Sequence, residues 1–346
     1  MSNREAFQPK MPMHMVWLST NVCNARCLHC SSNSSVRTPD ELKREEVFSL
    51  IDQLAEVGVV DLAISGGEPL LRHDIFEIIS YARGRGLSVG LGSNGATLTP
   101  RQAGLLASSG INRFQVSLDG FEEQHDRLRQ WPGLFKRALS TLNTVADLGI
   151  RTHVCFTINR LNFTHIEMFA EFLCTTRVRR LNLSRYVPTG RGRDFLDLDL
   201  EEWQRVLRMC VDLRDRFSGQ LEIVTHLAQQ ILVDDEIQQM PGYAGCQAGS
   251  AQGCVTANGT VLPCVLLPIP VGNIRTSSFE EIWSNSPVIK SLQGRDSLSG
   301  ECGSCSFKRK CGGCRAVAFA KTGDFLASDP RCQFVGFAKP KSALMT

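Results

Sequence analysis

The sequence predicts an α/β fold made of repeated strand and helix units around a parallel sheet, followed by a smaller cysteine-rich region. From about residue 14 to residue 225, short β-branched runs alternate with longer amphipathic stretches, which is how βα units read. Near residues 225 to 240 the composition changes, with more cysteine and with Gly and Pro breaking the chain into short segments. The 346 residues are 42% hydrophobic and 21% charged, with a net charge of +3. That is enough apolar material for one barrel or two domains, and too little charge imbalance for a disordered chain or a nucleic-acid footprint.

In chain order the proposed strands are MVWLST (15 to 20), VDLAIS (60 to 65), LSVGLG (87 to 92), RFQVSL (113 to 118), THVCFTI (152 to 158) and RRLNLSRY (179 to 186). Between the first two, PDELKREEVFSLIDQLAEVG puts Leu42, Val47, Leu50, Ile51 and Leu54 on one helical face. Thr38 or Asp40 can cap its start and Gly58 can end it. DIFEIISYARGRG, TPRQAGLLASSG and PGLFKRALSTLNTVADLG read as the next helices, each closing on a glycine. Such regular units fit a barrel or an open doubly wound sheet. After the long helix EEWQRVLRMCVDLRDRF, CVTANGTVLPC reads as a hairpin turning at Asn258-Gly259, where positive φ is needed. Its strands would bring Cys254 and Cys264 together. SFEEIWSNSPVIKSLQ reads as one helix and ECGSCSFKRKCGGCRA as a loop-rich knot of ligands.

The first residues, MSNREAFQPKMPMH, lack the basic-then-apolar pattern of a signal peptide, and no later run approaches the roughly 18 apolar residues of a membrane span. The expectation is a cytoplasmic protein with no membrane partner. In that compartment 14 cysteines should be mostly reduced, and CxxC pairs among them point to metal or cluster ligation rather than disulfides.

Four short motifs fall at the C-terminal ends of the first four proposed strands: CNARCLHC, SGGEP, SNG and SLDG. In parallel βα architectures that edge collects ligands and chemistry. The first motif supplies Cys23, Cys27 and Cys30, one thiolate short of the usual four. Zinc is the competing occupant of these thiols, and ordinary turn chemistry the competing reading of the other three motifs.

Together these residues resemble the radical S-adenosylmethionine (SAM) enzymes, whose cluster motif CxxxCxxC stands here as Cys23, Cys27 and Cys30. The resemblance implies a partial (β/α)6 TIM-type barrel and a [4Fe-4S] cluster with one iron left to SAM. The cofactor supplies the hard chemistry and the protein positions it. It also implies that Gly66, Gly67 and Glu68 meet the methionyl ammonium of SAM, and that His29 packs near adenine. Ser93, Asn94, Ser117 and Asp119 would face the ribose, the carboxylate or the substrate.

The later cysteines, Cys246, Cys254, Cys264, Cys302, Cys305, Cys311, Cys314 and Cys332, make two sets of four, and two zinc sites are possible on spacing alone. They resemble the SPASM extension of radical SAM enzymes, which implies two auxiliary [4Fe-4S] clusters and so three in all. The first would take Cys246, Cys254, Cys264 and Cys314, the second Cys302, Cys305, Cys311 and Cys332. Many members place three residues between the last two cysteines of the knot, whereas Gly312-Gly313 gives two, which puts the reach of Cys314 in question. The expected division is a barrel over residues 1 to 225 and a SPASM domain over 226 to 346.

Cys155, Cys174 and Cys210 remain. Cys174 and Cys210 sit in helical patterns as packing residues, while Cys155 lies mid-strand, where a thiol facing the barrel interior could return a hydrogen atom to a substrate radical; core filling is its plainer role. Arg185, Tyr186 and the following PTGRGR lie at the end of the sixth strand, where a guanidinium could hold a substrate carboxylate or phosphate. The expected enzyme removes hydrogen from a small-molecule precursor, such as a sugar or aminocyclitol, in an oxidation or epimerisation, with electrons from a flavodoxin or ferredoxin. The lean to a small molecule comes from the roughly fifteen residues before the first strand, too few for a peptide-binding domain. Tetrapyrrole side-chain trimming, suggested by CGGCRAVAFAKTGDFLASDPRC, is the close competitor, followed by peptide or protein modification and by a non-catalytic zinc scaffold.

Overall fold

In the computed structural model, which describes residues 9–334, seven strands run parallel in chain order. They are β1 (His14–Leu18), β2 (Asp61–Ser65), β3 (Ser88–Ser93), β4 (Arg113–Ser117), β5 (Arg151–Ile158), β6 (Arg180–Arg185) and β7 (Glu222–Thr225). The sequence predicts six; the seventh is only EIVT, too short to stand out at the compositional boundary, and it pairs in parallel with β6.

Along β1 to β6 one parity is fully buried: Met15 and Trp17, Leu62 and Ile64, Val89 and Leu91, Phe114 and Val116, Val154 and Phe156, Leu181 and Leu183. These pack in one apolar core with the helices, for example with Val47, Leu50, Ile51 and Leu54 of the helix Arg44–Glu56. The opposite parity carries Gly92, Gln115, Ser117, Cys155, Thr157, Asn182 and Ser184. Because side chains alternate across a strand, the inner face is polar along β4 to β6, while at β1 Val16 and Leu18 pack against Cys254 and Leu262. At its floor Asp61 takes His14 Nδ1 at 2.6 Å and both terminal nitrogens of Arg113 at 2.6 and 2.7 Å.

The cysteine-rich region continues this sheet. Its hairpin, β8 (Gln252–Val255) and β9 (Thr260–Leu262), is antiparallel as the sequence predicts, and β8 pairs in parallel with the free edge of β1. With β10 (Gly272–Asn273) the order becomes β10-β9-β8-β1-β2-β3-β4-β5-β6-β7. The barrel is therefore partial, and the hairpin covers an edge that would otherwise expose unpaired backbone groups.

Two local expectations change. The first helix begins at Arg44 rather than near Asp40, because Glu41 is used elsewhere: its carboxylate accepts from Asn21 N at 2.7 Å and from Thr20 Oγ1. The single helix expected over residues 278 to 293 breaks into Phe279–Asn285 and Pro287–Gly294. Pro287 pushes Ser286 out of the helical region, to ψ 124°. Among the described residues no helix is long and apolar enough to cross a membrane.

Candidate active site

The segment after β1 carries the first three cysteines, and the SGGEP turn after β2 docks directly onto it. Gly67 N donates to Thr20 O and Glu68 N to Val22 O, both at 2.7 Å. A Cβ on Gly67 would lie 2.1 Å from Val22 O, and one on Gly66, at φ +129°, 2.8 Å from Thr20 O. The two glycines thus let backbone meet backbone. Glu68 is buried, its Oε1 accepting from Ser93 Oγ (2.9 Å) and Leu70 N (3.2 Å), its Oε2 from Asn94 N (2.8 Å). Burial pushes its carboxyl above the ordinary value. Asn94 Nδ2 donates to Oδ1 of Asn24, within the cysteine motif, at 2.7 Å. Gly66, Gly67, Glu68, Ser93 and Asn94 therefore converge on the loop of Cys23, Cys27 and Cys30.

A second cluster flanks Cys27 and is centred on Asp119, which is fully buried. Its Oδ2 accepts from Arg129 Nε and Nη2, each at 2.8 Å, its Oδ1 from Thr157 N at 2.9 Å, and His29 Nε2 lies 3.5 Å away. Arg129 Nη1 in turn reaches to 3.8 Å from Cys27 Sγ. Asp119, expected to face the ribose, the carboxylate or the substrate, here pairs with Arg129 and the backbone, and the group next to the cysteine loop is the guanidinium. Burial works against the charge on Arg129, but Asp119 and Cys27 more than offset it and raise its pKa. Burial pushes His29 down to about 4, so the ring is neutral, and its buried Nδ1 has no partner among the described residues.

Sequence reasoning missed Arg129. The only trace is an arginine ten residues after the SLDG aspartate, closing the helix Glu122–Arg129; nothing in the spacing says that the two meet. Ser117 sits level with Cys155 on the next strand. The Cys155 sulfur lies 3.7 Å from Ser184 Oγ, and burial pushes its thiol up to about 11.

Arg185, expected to hold a substrate carboxylate or phosphate, closes β6. Its guanidinium already grips an internal carboxylate: Nη1 and Nη2 donate to Asp329 at 2.7 and 3.2 Å, and the group lies over Trp203 at 4.4 Å. Engaged and buried, it joins the end of β6 to the C-terminal region.

The later cysteines form two neighbourhoods. Cys302, Cys305, Cys311 and Cys332 line one cavity with Phe307, Gly312 and Gly313. Cys264 lies within electrostatic reach of Cys246, Cys254 and Cys314, and Cys314 of Cys246. Gly312 and Gly313 have φ of +72° and +61°. Two successive left-handed residues turn the chain sharply, so a two-residue spacer suffices for Cys311 and Cys314 to join different neighbourhoods. Arg315 Nη2 lies 3.7 Å from Cys302 Sγ, and the buried Arg315 Nε has no partner among the described residues. Four thiols lining one cavity, with the Arg315 guanidinium 3.7 Å from Cys302 Sγ, suit an anionic iron-sulfur group.

Residues 17–173 match the radical SAM superfamily, and residues 246–306 an iron-sulfur cluster-binding domain, SPASM. The chain is 34% identical to an AdoMet-dependent heme synthase of Methanosarcina barkeri, over 93% of this chain and 96% of that one. It is 30% identical to an Fe-coproporphyrin III synthase of the same organism, over 93% and 91%. Among solved structures, SuiB of Streptococcus suis bound to S-adenosylmethionine superposes with a TM-score of 0.77 at 18% identity, covering 94% of this chain and 78% of that one.

Proposed function

Because this chain belongs to the radical SAM superfamily and carries a C-terminal SPASM iron-sulfur domain, we propose that its substrate is a tetrapyrrole whose carboxylate side chains it trims. The observation that carries this reading is the 34% identity to a heme synthase along nearly the whole of both chains. It displaces the sugar or aminocyclitol as the favoured substrate. The cofactors, SAM and [4Fe-4S] clusters, supply electron transfer and the removal of hydrogen from unactivated carbon.

The chain's own residues hold and orient. Cys23, Cys27 and Cys30 would bind the first cluster, and the two later neighbourhoods the auxiliary ones. Glu68, Ser93 and Asn94 keep the cysteine loop seated against the strand ends. Arg129, fixed by Asp119, offers a permanent positive charge beside Cys27, where an anionic group of SAM or substrate would be met. A flavodoxin or ferredoxin is the expected electron donor. In this reaction a propionate-type arm would lose one hydrogen atom, one electron and carbon dioxide and become an alkene.

The test supplies the anaerobically reconstituted protein with SAM, dithionite and an iron porphyrin bearing propionates. Porphyrin product lighter by one carbon dioxide and two hydrogens' worth of protons and electrons per arm, formed in step with 5′-deoxyadenosine, is expected. If 5′-deoxyadenosine release stays at its substrate-free rate with every tetrapyrrole tried, this reading falls. Cys155→Ser gives an independent check. Side-chain trimming has no hydrogen to return, so the variant should keep its rate within about threefold, whereas an epimerisation that uses Cys155 as donor would stall after abstraction.

A further inference from the structure

The PTGRGR segment after β6 folds back over the cysteine loop and touches it with both backbone and side chain. Arg191 N donates to Cys30 O at 2.8 Å, and Arg191 Nη2 donates to Ser34 O at 2.6 Å. Ser34 is buried, its hydroxyl lies 2.7 Å from Ser32 Oγ, and Ser32 Oγ lies 3.6 Å from Cys30 Sγ. Arg191 therefore fixes both ends of the short turn that aims a hydroxyl at the Cys30 sulfur. The close approach is built in. Gly190 has φ +60°, and a Cβ there would sit 2.2 Å from Ser31 O and 2.6 Å from Cys30 O, both backbone atoms that cannot swing aside.

The segment is held from its other side as well. Tyr186 Oη donates to Arg193 O at 3.0 Å, and a Cβ on Gly192 would lie 2.5 Å from that hydroxyl. Six residues before Arg191, Arg185 is locked to Asp329. The buried Arg191 Nε has no partner among the described residues, which leaves one donor of this guanidinium unspent beside the loop.

We propose that Arg191 is a positioning residue for the SAM-binding cluster: it clamps the Cys30 to Ser34 turn and keeps a fixed positive charge beside the cluster's third ligand. This rests on the family's cluster site and not on the identity of the substrate. Groups that orient a metal ligand from behind typically change affinity or activity by about 10- to 100-fold when removed. A nearby positive charge favours the more reduced, more negative state of a cluster.

The test uses reconstituted full-length protein and no substrate. In Arg191→Ala, a chelator should strip the irons of the SAM-binding cluster about 10- to 100-fold faster than in the parent, and the midpoint potential of that cluster should move to more negative values. Arg191→Lys keeps the charge but not the reach to Ser34, so its potential should stay near the parent's while iron loss remains fast. Arg193→Ala, an exposed side chain on the same segment, should match the parent in both. Parent-like iron loss in Arg191→Lys, or an unchanged potential in Arg191→Ala, overturns the proposal. If Arg191→Ala cannot be prepared folded, the iron-loss rate of Arg191→Lys decides alone. Because no tetrapyrrole enters these measurements, failure of the substrate reading would leave their outcome untouched.

Discussion

Gly67→Ala should leave a folded barrel that no longer retains its SAM-binding cluster. The added carbon would lie 2.1 Å from Val22 O and 2.6 Å from Val22 C, and neither atom is the flexible end of a side chain. The SGGEP turn and the cysteine loop must therefore separate. Separation breaks the two 2.7 Å bonds from Gly67 N to Thr20 O and from Glu68 N to Val22 O. Buried backbone groups left unpaired cost about 1–3 kcal/mol each, on top of about 1–3 kcal/mol for overpacking. Since each 1.36 kcal/mol is worth about a factor of ten in an equilibrium or a rate, 5′-deoxyadenosine release should fall more than roughly 100-fold. Iron analysis should show loss confined to one cluster, with the auxiliary signals intact. Full iron content with the parent's rate would contradict the docking described above.

Asp329→Ala should be the most damaging change outside the cysteines. One buried carboxylate serves four donors: Arg185 Nη1 and Nη2, Cys314 N at 2.8 Å and Arg331 N at 3.0 Å. It ties the end of β6 to the start of the helix Arg315–Thr322 and to the turn before Cys332. Burial works against both charges, yet each outweighs it for the other: Asp329 is held below the ordinary carboxylate range, and the pKa of Arg185 is raised. Truncating the acid strands a buried guanidinium, which costs about 3–5 kcal/mol, and leaves two backbone N–H groups unanswered. Arg185→Met should cost less, because Asp329 keeps its two backbone donors. Denaturant unfolding of the anaerobic holoprotein gives the order, and a loss below about 1 kcal/mol for Asp329→Ala would show that the pair does not tie these elements together.

Much of the fold was legible because the parallel strands carry periodic, fully buried apolar residues and because glycines end the helices. The seventh strand escaped notice because four residues of mixed character carry no periodic signal. The coupling of the hairpin to β1 could not be read from residues more than two hundred positions apart. The site was legible where its chemistry is concentrated in short motifs: the cysteines, SGGEP and SNG meet as their place at the strand ends implies. It was not legible where a side chain's partner lies elsewhere in the chain. The pairing of Arg185 with Asp329 joins residues 144 positions apart, and that of Asp119 with Arg129 has no signature in the spacing.

The sequence by itself determined the family, the βα order and the thiols available to clusters, because spacing along the chain fixes which ligands a short loop can offer. Only the tertiary structure decided which charges are already spent on one another, that Gly312 and Gly313 divide Cys311 from Cys314, and that the PTGRGR segment braces Cys30. The physical reason is that a guanidinium or carboxylate declares its role through whatever lies within about 3 Å of it, and folding brings those neighbours from distant parts of the chain.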